Sequence, residues 1–157
     1  MIFATIGTQL PFPRLMAELD RLGADLDEDI VAQVGPDTTP RQCLKTHATL
    51  TPDAFDALFR QARVVVAHAG IGSILSAKAY RKPLIVMPRR LAHAEHRNDH
   101  QLATARQVEA VTGIHVAWDI SDLAALLSAP SLTPAVPDPG ATADQLRDRI
   151  RDFIDQG

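Results

Sequence analysis

Three stretches of this chain carry residue types that can hold a charged ligand. In His68-Ala69-Gly70-Ile71-Gly72-Ser73, two glycines one residue apart follow the apolar run Val64-Val65-Val66-Ala67. Glycine lets the backbone turn sharply and lets a ligand approach it closely. Ile71, Ile74, Leu75 and Ala79 then recur at helical spacing, which predicts a buried strand, a turn, and a helix beginning near Gly72. A helix start presents unpaired N–H groups and the positive end of the helix dipole, a combination that favours phosphate. Ser73 adds a hydroxyl there, and His68 stands at the strand end where a ligand would lie. Gly7-Thr8-Gln9 is the second stretch, small and polar, directly after the apolar Ile2 to Ile6. The third is the polar loop from Arg89 to Gln101. Its Arg89 and Arg90 suit a diphosphate, and Glu95 or Asp99 can accept hydrogen bonds from sugar hydroxyls. The plainer alternatives are a ligand-free strand–helix connection and a charge-balanced, solvated loop.

The elements around these stretches alternate. Ile2 to Ile6, Ile30 to Val34, Val64 to His68, Leu84 to Met87 and Ile114 to Ala117 read as strands, with a short one expected at Ala48 to Leu50. Asp37 to Thr46 shows no period and reads as loop. Helices are expected from Phe12, Leu15, Met16 and Leu19, with Gly23 as terminator, and from Phe55, Leu58, Phe59 and Ala62 behind the capping pair Thr51-Pro52. Leu102, Ala105, Val108 and Val111 mark a further helix, and Leu123, Leu126 and Leu127 another. Strands alternating with helices predict an α/β fold, a Rossmann-like, doubly wound parallel sheet. Its ligands bind beyond the carboxyl ends of the strands, where all three polar stretches fall. Residues 1–128 form this domain, and 129–140, with Pro130, Pro134, Pro137 and Pro139, read as a stiff linker rather than core. Residues 141–157 read as a final helix with Leu146, Ile150, Phe153 and Ile154 on one stripe, folded back or docked on a partner.

At 157 residues, 46% hydrophobic and with a formal net charge of −3, the chain has an ordinary globular composition that gives nucleic acid no basic surface. Aromatic residues are only 4%, too few for a base-stacking platform. Cys43 is the single cysteine and has no disulfide partner in the chain. No basic region precedes the first apolar run and no run approaches the ~20 residues of a membrane span, so a cytoplasmic location is expected. A nicotinamide fingerprint needs a third glycine or alanine and an acid at the next strand end. Here Leu75 and Met87-Pro88-Arg89 occupy those places. The Gly-Lys-Ser/Thr of a P-loop is absent, and the spacing of His93, His96 and His100 fits no zinc pattern, so no metal and no cofactor are expected.

Taken together, Ile6-Gly7-Thr8-Gln9, His68 to Ser73, Lys82-Pro83-Leu84-Ile85-Val86-Met87-Pro88 and Asn98-Asp99-His100-Gln101 resemble the C-terminal, donor-binding half of family 28 glycosyltransferases. The likeness runs from Met1 to about Leu127. It is closest to the small free-standing version of that half, such as the eukaryotic subunit that adds the second N-acetylglucosamine to dolichol pyrophosphate. The E-type subunits of bacterial exopolysaccharide transferase pairs are closer still, sharing Arg89-Arg90 and the run from Glu95 to Gln101.

The resemblance implies one half of a GT-B enzyme: a domain that holds a UDP-sugar as substrate, with a membrane-anchored second subunit bringing a polyprenyl-linked acceptor. Recruitment to the inner face of the cytoplasmic membrane by that subunit would follow. It assigns Gly70, Gly72 and Ser73 to the diphosphate, with Gly7, Thr8, His68, Ala69, Ile71, Arg89 and Arg90 around it, and Asp99 and Gln101 to the donor sugar, beside Glu95. Many members place an acid one turn into the helix to bind the ribose; this chain has Ser76 there, a weaker partner. The general base is unassigned, with His68 and His96 as local candidates. The competing reading is a nucleotide-sugar-binding module without turnover, serving assembly or regulation.

Overall fold

The computed structural model describes residues 1–137. Its strands are β1 (Ile2–Thr5), β2 (Ile30–Gln33), β3 (Leu44–His47), β4 (Val64–His68), β5 (Leu84–Met87) and β6 (Ile114–Val116). Its helices are α1 (Pro13–Gly23), α2 (Pro52–Gln61), α3 (Ile71–Tyr80), α4 (His100–Val108) and α5 (Asp122–Ser128), with a single 3-10 turn at Leu91–His93. The six strands form one sheet in the order β3-β2-β1-β4-β5-β6, and every pairing is parallel. This is the doubly wound sheet that the alternation of elements predicts.

Side chains alternate across a strand, so each central strand supplies both faces of the sheet. Ile2, Ala4, Val64, Val66, Ile85 and Met87 pack with Phe12, Leu15, Met16 and Leu19 of the α1 region and with Leu123 and Leu127 of α5. Phe3, Val65, Ala67, Leu84 and Val86 pack on the other side with Phe59 of α2, Ile74 and Ala77 of α3, and Ala105 of α4. Strands covered on both faces need continuous apolar runs, which is what these sequences are. The switch in winding direction lies between β1 and β4. Register there sets Thr5 beside Gln33 on one side and beside Ala67 on the other, with His68 one step beyond, beside Met87.

The helix starts follow local chemistry. The Thr51 side chain accepts a hydrogen bond from the Ala54 N–H at 3.3 Å, and Pro52 takes the first position of α2. Gly70 is the residue ahead of α3 and adopts an extended conformation. Ile71 is half exposed, so the buried side of α3 is made by Ser73, Ile74, Ser76 and Ala77 rather than by a purely apolar stripe.

Two expectations change. The third strand is Leu44–His47, inside the stretch read as loop, and Ala48 to Leu50 is not strand. Only Leu44 of this edge strand is buried, and main-chain bonds such as Val34 N–H to His47 O (2.8 Å) hold it, so it carries no apolar period to read. The beginning of the proline-rich segment also belongs to the core. Ala135 is buried and donates its N–H to Lys82 O at 3.2 Å, while His115 Nε2 and Thr133 O lie in hydrogen-bond contact at 3.2 Å. Gly113 makes room for it: its φ is +83°, and a Cβ there would stand 2.1 Å from Ala135 N. The expected helix at 141–157 lies outside the described residues.

Candidate functional site

A cavity of about 510 Å³ opens at the carboxyl ends of β1, β2 and β4. The α3 N-terminus forms one wall through Gly70, Gly72, Ser73 and Ser76. The loop after β1 forms another, from Ile6 through Gly7, Thr8 and Gln9 to Leu10. Leu50, Pro52 and Phe55, at the start of α2, make an apolar side, Arg89 and His96 approach from the loop after β5, and Gln101 from the first turn of α4. Among the described residues, no acidic side chain lines it.

The polar groups around the cavity are oriented by bonds below it. Thr5 donates its hydroxyl to Gln33 Oε1 at 3.0 Å, and the Arg89 N–H donates to Gln101 Oε1 at 3.0 Å. With both amide oxygens occupied, Gln33 and Gln101 have their NH₂ groups left to offer. A wall of amide donors, a helix N-terminus and a buried cation is chemically suited to an anion.

His68 sits between the two glycine turns. A Cβ on Gly70 would lie 2.4 Å from its Nε2, so that glycine leaves space for the imidazole, whereas one on Gly7 would make only ordinary contact, 3.5 Å from its Cε1. Burial first, and then the neighbouring charge of Arg89, lowers its pKa from 6.5 to about 4, against an opposing hydrogen bond with the Thr5 backbone. The ring is therefore neutral at pH 7, and its buried Nδ1 has no hydrogen-bond partner among the described residues. His96 Nδ1 is likewise buried and unpartnered.

Of the residues expected to bind the donor, the structure brings Gly7, Thr8, His68, Gly70, Gly72, Ser73, Arg89, Ser76 and Gln101 together around this cavity, with His96. Ala69 is buried beneath the turn and Ile71 faces outward. Arg90, Glu95 and Asp99 do not line it, because each has a partner elsewhere. Arg90 donates to Trp118 O and lies 3.8 Å from Asp119. Glu95 receives a bidentate pair from Arg14 at 2.6 and 2.9 Å and a third bond from Arg90 N–H at 3.0 Å. Burial raises the Glu95 pKa, but these donors outweigh it and hold the carboxyl below its ordinary value. Asp99 accepts the Leu91 N–H at 2.9 Å. Both acids thus bind groups of the protein itself, Glu95 the Arg14 side chain and Asp99 the main chain of its own loop.

The cavity also includes residues that sequence reasoning passed over: Thr5, Gln33, Leu50, Pro52 and Phe55. A polar residue closing an otherwise apolar strand was the available signal for Thr5 and Gln33.

The family model "Glycosyltransferase family 28 C-terminal domain" matches residues 12–129. No curated protein matches the sequence significantly. Among solved structures, ALG13 has the same fold over nearly its whole length: TM-score 0.60, 18% identity, 98% of this chain and 96% of that one. MurG of Acinetobacter baumannii matches with TM-score 0.59 and 14% identity, over 98% of this chain and 48% of its own. CalG4, the calicheamicin glycosyltransferase, matches with TM-score 0.62 and 17% identity, over 98% and 38%. Against the larger glycosyltransferases the chain therefore spans a third to a half of their length.

Proposed function

The chain belongs to glycosyltransferase family 28 as a C-terminal domain, and on that premise we propose that it is the donor-binding half of a two-component glycosyltransferase. Its substrate in this reading is a UDP-sugar, held with the diphosphate at the α3 N-terminus and the nucleoside toward the apolar side at Leu50, Pro52 and Phe55. The sugar passes to a polyprenyl-linked acceptor brought by a membrane-anchored subunit, in the synthesis of an exopolysaccharide or other surface glycan. No helix among the described residues is long and apolar enough to cross a membrane.

The observation that carries the proposal is the cavity itself. The N-terminus of α3, Ser73, and the amides of Gln33 and Gln101 meet in a space where no carboxylate of the described residues would repel a diphosphate. In the transfer step the bond from the anomeric carbon to the UDP oxygen breaks while a bond to the acceptor oxygen forms. Negative charge grows on the departing diphosphate, and fixed N–H dipoles aimed at it stabilise that charge without reorganising. The buried charge of Arg89 adds to the same field. The acceptor's proton must leave to a base. His68, with a pKa of about 4, is a poor one, and the described residues place no carboxylate in the cavity. His96, which lines the cavity, and a group of the second subunit remain as candidates for the base.

The lack of a carboxylate base among the described lining residues favours one other reading, a nucleotide-sugar-binding module that does not turn over. Radiolabelled UDP-hexose incubated with the chain, the second subunit and membranes separates them. Label entering the lipid fraction, dependent on this chain, supports the transferase. Binding of donor without any transfer in the complete mixture supports the module.

A further inference from the structure

Arg89 is the largest side chain fully enclosed in the structure. It lies beneath the cavity, where the loop after β1 and the loop after β5 meet, yet no carboxylate among the described residues is bound to it directly. Its Nη1 donates to Pro11 O and to Glu95 O at 3.4 Å, and its Nη2 donates to Ile6 O at 3.0 Å and Leu10 O at 2.8 Å. A guanidinium has five N–H donors. Four are thus spent on main-chain carbonyls, three of them on the single loop that walls the cavity. The remaining Nε–H cannot grip a phosphate in the bidentate way that makes arginine an anion receptor.

The surroundings fit the same purpose. The Phe12 ring, fully buried at the end of the loop, lies under two guanidinium groups, Arg89 at 4.8 Å and Arg14 at 5.5 Å from its centroid. Arg14 in turn holds the Glu95 carboxylate, whose main-chain oxygen Arg89 takes. Thr8, Gln9 and Leu10 are exposed above this arrangement. An exposed loop fixed from below at its first and last carbonyls has little freedom, because each trans peptide carries its N–H rigidly with its C=O.

We infer that Arg89 is a positioning residue: a clasp that holds the Gly7–Pro11 loop in the shape the donor site needs, rather than a ligand of the donor. Its use for a donor rests on the function proposed above; its action on the loop does not. Lysine keeps the charge but has three donors at one point, so it cannot reach carbonyls on two loops in a planar fork.

Backbone ¹⁵N order parameters of the ligand-free protein decide the matter. In the wild type, residues 7–10 should show values near the rigid level of about 0.85 despite their exposure. In Arg89→Lys they should fall below about 0.6, with β4 residues unchanged. In Phe12→Leu they should fall by less, in the same places. UDP affinity of Arg89→Lys should drop about tenfold. A wild-type loop already below about 0.6, or a folded Arg89→Lys whose loop stays rigid, overturns the clasp. If neither variant folds, the wild-type values still decide. A rigid loop in a wild type that does not bind UDP leaves the clasp standing and removes the donor reading.

Discussion

Gly70→Ala tests how the glycine turn and His68 depend on each other. Gly70 has φ −104° and ψ 146°, a conformation open to any residue, so alanine adds no backbone strain. What it adds is a methyl carbon 2.4 Å from His68 Nε2, 2.9 Å from Cδ2 and 3.2 Å from Cε1. Non-bonded carbon contacts settle near 3.5–4.0 Å, so the ring must retreat by about 1 Å. Overpacking of this kind typically costs about 1–3 kcal/mol. At roughly 2–4 °C per kcal/mol for a chain of this size, Tm should fall by about 2–12 °C. Removing the ring removes the collision. In a His68→Ala background, Gly70→Ala should be neutral or stabilise by up to about 1 kcal/mol, through the stiffer unfolded chain. The double-mutant cycle, read by thermal or urea unfolding, should give a coupling of about 1–3 kcal/mol. An equal penalty in both backgrounds would refute the argument, because the methyl would then be meeting something other than the imidazole.

Three further outcomes follow from the same geometry. His68 has a pKa of about 4 in the folded chain against 6.5 ordinarily, so between those values the unfolded state binds more protons. Stability should therefore be full above about pH 6.5 and decline toward pH 4, by about 3 kcal/mol at most, and His68→Asn should flatten that slope in pH-dependent unfolding. The Glu95 carboxyl titrates below its ordinary value, so its contribution is present above about pH 4.5 and is lost as pH falls through the lower folded value; Glu95→Gln should cost about 1–3 kcal/mol at pH 7 in urea titrations and remove that acid limb. Gly113→Ala places a Cβ 2.1 Å from Ala135 N at a residue with φ +83°. It should destabilise by about 2 kcal/mol or more and speed proteolysis within residues 130–137, and a neutral result would show that this segment does not pack on β6.

How much of this was legible beforehand depends on what a residue type can encode. The doubly wound sheet was readable because β1, β4 and β5 are buried on both faces and must be continuously apolar. β3 was not, since three of its four residues are exposed and its place is set by main-chain pairing with β2. The glycine turn was readable because close approach to a helix start demands small residues. In the loop after β5 the residue types were right but their directions were hidden. Arg89 turns inward to main-chain carbonyls, Arg90 outward to Trp118 O, and Glu95 to Arg14, and nothing in a run of charges says which will do which. Gln33 entered the site through register with Thr5, a property of two strands that neither displays alone. The buried Ala135 escaped because prolines around it resemble those of a free linker.

The most direct test of the central claim is a calorimetric titration of the purified chain with UDP, and in parallel with NAD, for wild type and Gly72→Asp. Gly72 lines the cavity at the α3 N-terminus. A carboxylate there favours the helix dipole and so leaves Tm equal or higher, but it occupies the place of the diphosphate. The expected result is saturable UDP binding by the wild type, lost by tenfold or more in Gly72→Asp, about 1.4 kcal/mol at least, with no binding of NAD. Tight NAD binding without UDP binding, or UDP binding untouched by Gly72→Asp, would contradict the donor site described for this chain.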